Sequence, residues 1–559
     1  MSRAFVLLCF LLPAGVHTFV GHHQVVIRRR TASSGSDITP RTPPAAWPKA
    51  ATPPPPPPTR CCTELHMASS KSKRSKKART KTAGPTAAVT VSRDEDLAGF
   101  LRWAGEEIGV KAPRLKGGFV NGLRGLVATQ NIAKNDEMVV VPSESALVTT
   151  TDQLCPFPEW VSKDFWASSP WQVRLALLLL REKQKGAESE LEPWISRLPE
   201  SFGTPVSWSA AELSELQYPH LEVVAREQRE EWKGFYSSLM ASSPGCGVAE
   251  EELSWAIGVA YSRAFSGPYE GRGPKERLAE VAFVTALAGG SLALGLGTPD
   301  QVANGAFAVL LSIPLRDFFM TKLVQLKRYA LTPVVDLINH QSGIDSDVSY
   351  NYFYGYFAVT TQRGWTAGEQ VFISYGPRSN DHLLQRYGFV EQDNPNDVYR
   401  ITGLIDKLSD ILGKESVRVL RESGGKLGTT GDSAEGRPVE SVTVGRSGLL
   451  GEKEEARVMP VLRLAVVKDD QLPEGKMAGI SLKDFSSEIS PANEVAAREA
   501  LRKLCIKERE GFATTLAEDE EFLSSLGNSL GAQKRVVFSF RMEKKRVLEA
   551  AIASIGTAT

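Results

Sequence analysis

The sequence predicts an α+β fold in which strand signals lie on both sides of a helical middle. Short strand patterns occur at 125–129 and 137–142, and a second strand-rich patch covers 332–375. Between them, residues 171–185 and 249–265 carry apolar residues at helical spacing. These observations indicate one β-rich core that is interrupted by a helical insertion.

The length and the charge distribution limit the class of protein. A chain of 559 residues is too long for one core and predicts two or three domains. Residues 1–90 hold 14 of the 66 basic residues and two of the 65 acidic ones, which leaves 52 basic and 63 acidic residues, a net charge of −11, for the rest. This negative body argues against non-specific nucleic-acid binding and favours a basic protein partner.

The cysteines are scattered along the chain and form no CxxC pair: Cys9, Cys61, Cys62, Cys155, Cys246 and Cys505. The pattern therefore predicts neither a structural zinc site nor a disulfide framework. A protein of this kind is expected to work in a reducing compartment.

The first 90 residues have the composition of a two-part leader. Residues 1–18 contain an apolar stretch of signal-peptide length, and residues 19–90 are rich in Arg, Ser, Thr and Pro, as disordered transit segments are. This arrangement resembles the leader of algae with complex plastids and predicts a plastid protein. A secreted protein with a disordered stalk is the alternative, and the basic cluster 71–81 leaves a nuclear or cytoplasmic location open.

Three short segments point to one family. They are Gly122–Ala128, Asp336–His340, and the segment from Gly368 to Gly376 that continues to Phe389. Together they resemble the SET domain, specifically that of the plastid Rubisco large-subunit lysine methyltransferase type. The resemblance covers most of residues 95–555 and implies an all-helical C-terminal substrate-binding domain after the β-rich SET core.

The resemblance implies the following division of the chain. Residues 91–392 form the SET domain, with a helical insertion at about 150–330. This insertion includes an extra apolar segment, 276–320, that the family pattern does not need. Residues 393–559 form the helical C-terminal domain, and its Gly-, Ser- and charge-rich residues 422–456 are predicted to be a surface loop.

Methyl transfer from a sulfonium is an in-line displacement, so the enzyme must orient an amine, a methyl group and a leaving sulfur. The lysine must arrive neutral, and a narrow aromatic channel lowers its pKa and admits its thin stem. Tyr375 and Tyr387 suit the walls of that channel and are the predicted catalytic residues. The resemblance implies that Tyr375 lies nearest the transferred methyl, which weak CH···O contacts would hold.

The resemblance also implies the residues that bind S-adenosylmethionine. Asn339-His340 corresponds to the cofactor clamp, and Arg263 to an arginine that reaches both the cofactor and the substrate pockets. The loop that contains Gly122, Leu123 and Arg124 corresponds to backbone that contacts the cofactor. Gly122 departs from the acidic residue that the family usually places there.

Three residues are predicted on the substrate side: Asp336, Tyr350 and Phe389. Asp336 resembles a substrate-side acid, with a structural carboxylate as the alternative. Tyr350 is chosen over Tyr352 and Tyr354 as the third channel aromatic. No metal site is predicted, because none of the seven histidines lies at ligand spacing.

The extra segment contains two uncharged stretches, 281–299 and 301–315, on either side of Asp300. Two apolar helices joined by a polar turn would form either a membrane hairpin or a pair packed on the protein itself. The glycines and the modest hydrophobicity favour the packed pair. Contact between 281–315 and a membrane is the second interpretation.

The predicted activity is methylation of a protein lysine with S-adenosylmethionine as the cofactor, by a monomer. The resemblance suggests a plastid protein as substrate, such as the Rubisco large subunit or fructose-bisphosphate aldolase. The alternatives are a protein-histidine N-methyltransferase and a non-catalytic SET-fold binding protein. The retention of Tyr375, Asn339 and His340 argues against the last of these.

Overall fold

The structure, a computed structural model, describes most of the chain after residue 90. The described residues are 91–120, 123–150, 152–268, 274–318, 327–351, 355–413, 417, 420, 439–449, 451–467, 482–526 and 531–557. The predicted leader segments, 1–18 and 19–90, lie outside them. The chain divides into two compact units, one of residues 1–61 with 269–326 and one of residues 62–268 with 327–559.

The first ordered helix of the larger unit is α1 (Glu95–Glu106). Asp94 caps its N-terminus, since its carboxylate accepts a hydrogen bond of 3.1 Å from the amide of Leu97. Leu97, Phe100 and Ala104 lie three and four residues apart and are buried together, so this face of the helix joins the core.

The strands of the larger unit form small sheets rather than one large one. The strands are β1 (Val91–Arg93), β2 (Leu115–Val120), β3 (Leu123–Ala128), β4 (Glu137–Pro142), β5 (Leu147–Thr150), β6 (Phe265–Pro268), β7 (Lys327–Leu331), β8 (Asn339–His340), β9 (Ser346–Asn351), β10 (Tyr356–Thr361) and β11 (Phe372–Ile373). The sheet orders are β1-β2-β3, β4-β10-β9, β5-β7-β6 and β11-β8. Only the β8–β11 pair among them is parallel.

The helical middle packs on the β5-β7-β6 sheet through the helix Trp171–Gln184. Its helices are α2 (Lys163–Ser168), α3 (Trp171–Gln184), α4 (Glu192–Ile195), α5 (Ala210–Ser214), α6 (Pro219–Ser242) and α7 (Glu250–Arg263). α3 and α7 are the helices predicted at 171–185 and 249–265. Trp171 stacks on Tyr329 of β7 with 4.4 Å between ring centroids, which joins the helical insertion to the strands.

The smaller unit contains a helical hairpin. Its helices are α8 (Pro274–Ala293) and α9 (Pro299–Phe318), and they pack against each other. Gly295 has φ +66° in the turn, a conformation that favours glycine. No helix in the described residues has both the length and the hydropathy needed to cross a membrane.

The C-terminal region has its own buried apolar cluster. Helix α10 (Asn380–Tyr387) precedes this region, whose own helices are α11 (Leu404–Leu412), α12 (Gly451–Ala465), α13 (Pro491–Glu510), α14 (Leu516–Leu526) and α15 (Ala532–Thr557). A three-stranded sheet joins them, formed by β12 (Val398–Thr402), β13 (Ser441–Gly445) and β14 (Gly448–Leu449). The helical character is confirmed, but the region is not all-helical as predicted, because this sheet forms part of it. The surface loop predicted over 422–456 is wrong for β13, β14 and the start of α12.

A buried ion pair fastens α15 to the end of the SET core. The ammonium of Lys544 lies 2.8 Å from the Asp381 carboxylate of α10 and 2.7 Å from Asp397. Lys544 and Asp397 are fully buried. The two carboxylates raise the pKa of Lys544 although burial alone would lower it, so the lysine stays charged inside the protein.

We predict that Lys544→Met destabilises the fold by about 3–5 kcal/mol, because it leaves buried carboxylates without a counter-charge. Urea denaturation of the two proteins measures the difference. Lys507→Met is the matched control, since Lys507 pairs with Asp410 at an exposed site and should contribute about 0–1 kcal/mol. Equal losses in both variants would contradict the prediction.

Candidate active site

The three predicted motifs meet at one place in the larger unit. β8 pairs in parallel with β11, with Asn339 opposite Phe372 and His340 opposite Ile373. The amide of Val371 donates a 2.9 Å hydrogen bond to the carbonyl of Leu126 in β3. Segments more than 200 residues apart in sequence therefore form adjacent backbone.

The side chain of Asn339 is fixed by the backbone of the glycine-containing strand. Its amide nitrogen donates a 2.8 Å hydrogen bond to the carbonyl of Arg124. The next residue is Gly125, where an added Cβ would lie 2.7 Å from that same amide nitrogen and would collide with Gln370. Glycine is therefore required here by close packing rather than by backbone conformation.

His340 is held by hydrogen bonds to both of its ring nitrogens. The amide of Tyr375 donates to Nδ1 over 3.0 Å, which requires that nitrogen to be an unprotonated acceptor. Nε2 lies 3.4 Å from the Ser342 hydroxyl and 3.6 Å from a Glu391 carboxylate oxygen. This geometry assigns the proton to Nε2 and fixes the ring orientation.

Glu391 completes this arrangement from the segment after α10. The amide and the hydroxyl of Ser342 donate to its two carboxylate oxygens over 2.8 and 2.6 Å. Burial disfavours ionisation of this carboxyl, but the hydrogen bonds from His340 and Ser342 outweigh burial and lower the pKa of Glu391. A carboxylate therefore faces the histidine.

The hydroxyl of Tyr375 donates a 2.8 Å hydrogen bond to the carbonyl of Ile338, the residue before the Asn-His pair. Its ring stacks on His340 with 5.0 Å between centroids and lies 4.8 Å from the ring of Tyr387. Burial, together with the neighbouring Tyr387, raises the pKa of Tyr375 well above its usual value. The hydroxyl is therefore neutral at any working pH.

The aromatic rings of Tyr375, Tyr387 and Phe389 lie close together. Tyr387 is the last residue of α10, and Gly388 ends the helix with φ +75°. That turn brings Phe389 back, so that its ring centroid lies 6.1 Å from that of Tyr387 and 6.2 Å from that of His340. Burial raises the pKa of Tyr387 as well. The arrangement can surround a slender aliphatic chain.

A buried acid lies beside the aromatic group. Arg263 donates a 3.0 Å hydrogen bond to the carbonyl of Asp336 and lies 3.4 Å from its carboxylate, and the indole of Trp194 donates to that carboxylate over 3.2 Å. Burial raises the pKa of Asp336, and Arg263 opposes this shift. The Asp336 Oδ1 and Arg263 Nε atoms are buried without a hydrogen-bond partner among the described residues.

Other predicted residues are placed differently. Tyr350 packs against Phe357 of β10 with 4.9 Å between centroids, and the Arg328 guanidinium lies 4.7 Å from its ring. These two contacts place Tyr350 on β9, against β10 and the start of β7. Tyr352 and Tyr354, the alternatives to it, lie outside the described residues.

The predicted cofactor loop is only partly described, since Gly122 lies outside the described residues. Leu123 pairs with Val120 at the start of β3. The Arg124 guanidinium pairs with two acids. It lies 2.5 Å from Asp94, which caps α1, and 3.1 Å from Asp96 within α1. The Arg124 side chain and carbonyl are therefore engaged within the protein.

Sequence reasoning missed Ser342, Glu391 and Trp194 as supporting residues of the site. Trp194 donates to an acid 142 residues later, and the sequence around Trp194 gives no signal of that contact. Glu391 follows Phe389 by two residues, and that proximity to the motif was the available signal. No cluster of three or more potential metal ligands exists in the described residues.

We predict that Gly125→Ala destabilises the protein by roughly 1–3 kcal/mol, because the new methyl group displaces the fixed amide of Asn339. Gly99→Ala in α1 is the control, since an added Cβ there meets nothing within 4 Å and should be neutral or stabilising by up to about 1 kcal/mol. Urea unfolding measures both variants. A neutral Gly125→Ala would show that Asn339 and Gln370 can move aside.

Comparisons with known proteins find similarity over most of the chain. The family described as Rubisco LSMT substrate-binding matches residues 428–548. The chain is 23% identical over 484 residues to the chloroplastic Rubisco large subunit N-methyltransferase of Nicotiana tabacum, covering 80% of this chain and 79% of that relative. It is 24% identical over 499 residues to the chloroplastic fructose-bisphosphate aldolase-lysine N-methyltransferase of Arabidopsis thaliana, covering 83% and 84%.

A solved structure extends the match to the fold. The crystal structure of the SET domain of LSMT bound to lysine and AdoHcy matches with a TM-score of 0.53 and 21% identity, covering 83% of this chain and 91% of that one. The predicted resemblance and fold class are confirmed: a SET core is followed by a helical region of the Rubisco LSMT substrate-binding type. The two relatives named above are N-methyltransferases, in agreement with the predicted enzyme class.

Proposed function

We propose that this protein transfers a methyl group from S-adenosylmethionine to the side-chain amine of a lysine in another protein. The observation that carries the proposal is the Tyr375 hydroxyl, which lies against the carbonyl of Ile338 while its ring stacks on His340. A SET fold places a methyl donor and an amine at opposite ends of one channel. The names of the relatives and the ligands of the matched structure support this activity.

The residues present fit S-adenosylmethionine. Arg263 has a buried Nε–H without a partner, and its planar guanidinium suits the carboxylate of the cofactor. The amide nitrogen of Asn339 is already engaged, so the amide oxygen is assigned to the cofactor's ammonium. The backbone of Gly122, Leu123 and Arg124 is assigned to the remaining part of the cofactor.

When bound, the cofactor supplies an electrophilic methyl group on a sulfonium. Tyr375 uses its hydroxyl hydrogen on Ile338, so its oxygen lone pairs remain to accept weak CH···O contacts from that methyl. Because burial keeps this phenol neutral, Tyr375 orients the methyl group rather than acting as a base. Tyr387 and Phe389 are assigned to the channel wall around the lysine.

The lysine must lose a proton before it can attack. An aromatic, partly desolvated channel disfavours the ammonium and so favours the neutral amine. Asp336 has one unpartnered buried oxygen and is assigned to the substrate side of the channel. Tyr350 is assigned to the outer part of the channel. We further propose that residues 91–392 act as the catalytic domain and 393–559 as the substrate-binding domain of a monomer.

The recipient and the location are part of the proposal. The chloroplastic relatives and the two-part leader support a plastid location, with the nucleus and the cytoplasm as alternatives. The Rubisco large subunit and plastid aldolase are the recipients that the names of the relatives suggest. Acid hydrolysis of the labelled recipient distinguishes methyl-lysine from the methyl-histidine of the alternative activity.

We predict that the protein labels a band in plastid extract when labelled S-adenosylmethionine is supplied, and that Tyr375→Phe lowers this rate by roughly 10²-fold or more. Calorimetry should show that the variant still binds the cofactor. Tyr399→Phe is the matched control, since the Tyr399 hydroxyl is bonded to Glu508 in the C-terminal region. No labelled band in plastid, cytosolic or nuclear extract would favour a binding protein.

The pH dependence follows from the neutral amine and the neutral phenol. We predict that the rate rises with pH as the bound lysine loses its proton, and that it has no falling limb from Tyr375 below about pH 10. The sign follows from the raised pKa of Tyr375, which keeps the phenol protonated where a free tyrosine would ionise. The rate is measured against pH at saturating cofactor. A fall in the rate below about pH 10 that Tyr375→Phe abolishes would contradict this assignment.

A further inference from the structure

Exposed large apolar side chains are concentrated in the hairpin of α8 and α9. Of the 14 such side chains in the described residues, ten belong to this segment. They are Leu278, Val281, Phe283, Leu287, Leu292, Leu294, Leu296, Phe307, Leu311 and Leu315. Soluble proteins rarely expose so many large apolar groups in one segment, and such patches mark contact surfaces.

The exposed groups of α8 lie on more than one side of the helix. At 100° per residue, Leu278 and Val281 fall on one flank and Phe283 and Leu287 on the other. Val284, between the two flanks, is buried. An amphipathic surface helix would carry polar residues opposite its apolar face, whereas this one is apolar on both flanks.

In α9 the exposed groups form one stripe opposite the buried side. Phe307, Leu311 and Leu315 are spaced by four residues, and Val302 on the other side of the helix is buried. A single protein partner would cover one face of the hairpin and would leave the apolar flanks of α8 exposed to water. A lipid environment can surround all of these faces at once.

Apart from Asp300 at the turn, the charged residues lie at one end of the hairpin. Between Val281 and Leu315 the only ionisable residue is Asp300, while charged residues stand at 275–277, 280 and 316–317 in the sequence. The turn at the other end carries Leu294 and Leu296, which are 75% and 73% exposed. The uncharged helical stretch 281–293 is roughly 20 Å long, against roughly 30 Å of hydrocarbon in a bilayer.

We propose that this hairpin enters the hydrocarbon layer of a lipid bilayer turn-first, from one side, and so holds the protein at a membrane surface. The leading groups are Leu294 and Leu296, and the charged ends of the helices stay in the headgroup region. Asp300, in the first turn of α9, is exposed beside the leading turn and limits the depth of entry. The proposal does not depend on the methyltransfer activity.

Flotation of the full-length protein with phosphatidylcholine vesicles tests the proposal. The wild type should float, and the double variant Leu294→Asp, Leu296→Asp should lose roughly a hundredfold in partitioning. Leu154→Asp is the matched control, because Leu154 is 78% exposed outside the hairpin and should change nothing. Asp300→Asn should raise partitioning by roughly tenfold, because it removes the charge that opposes entry. Equal melting temperatures confirm that the variants are folded.

Several results would overturn the proposal. If the hairpin variants float as well as the wild type, another part of the chain, such as the apolar leader, binds the vesicles. If binding requires phosphatidylglycerol and is lost at high salt, the attraction is electrostatic. If the wild type does not float but forms dimers that Leu294→Asp, Leu296→Asp converts to monomers, the hairpin contacts a second copy.

Discussion

The parallel pairing of β8 with β11 is the contact on which the site depends. It is only two residues long on each strand, yet it sets Asn339 and His340 beside the chain that continues to Tyr375. Three further bonds lock this register, from Val371 to Leu126, from Tyr375 to His340 and from the Tyr375 hydroxyl to Ile338. A slip of one residue would turn every one of these side chains to the opposite face.

The site is also tied to the C-terminal region through buried polar groups. Lys544 contacts Asp397, which accepts hydrogen bonds from both the amide and the side chain of Asn380. The Asn380 side chain in turn bonds the backbone of Glu391, whose carboxylate faces His340. The last helix of the chain thus supports the orientation of a residue at the core of the SET domain. Each buried group has a partner, which is the condition under which such a network adds rigidity.

The sequence could predict the motifs because each is a short contiguous stretch in which neighbouring residues share one local structure. Asn339-His340 and Tyr375 are of this kind, and the structure brings them together. Glu391 could not be assigned in the same way, because its role arises from a contact with Ser342 that the fold creates across 49 residues. The β13 strand was predicted as loop because its glycine and serine content masked the alternation of its buried valines, Val442 and Val444. Tertiary packing decides such short strands.

The polar atoms of the site fall into two sets, those that have a hydrogen-bond partner within the protein and those that have none. The amide nitrogen of Asn339, both ring nitrogens of His340 and the hydroxyl hydrogen of Tyr375 are bonded within the protein, so these side chains are held in place before any ligand arrives. Asp336 Oδ1 and Arg263 Nε are buried without such partners. A buried unsatisfied polar atom costs about 1–3 kcal/mol, a cost that a bound ligand can remove. The two atoms therefore differ from the preorganised groups, and this difference is the reason that the proposed function assigns them to ligands.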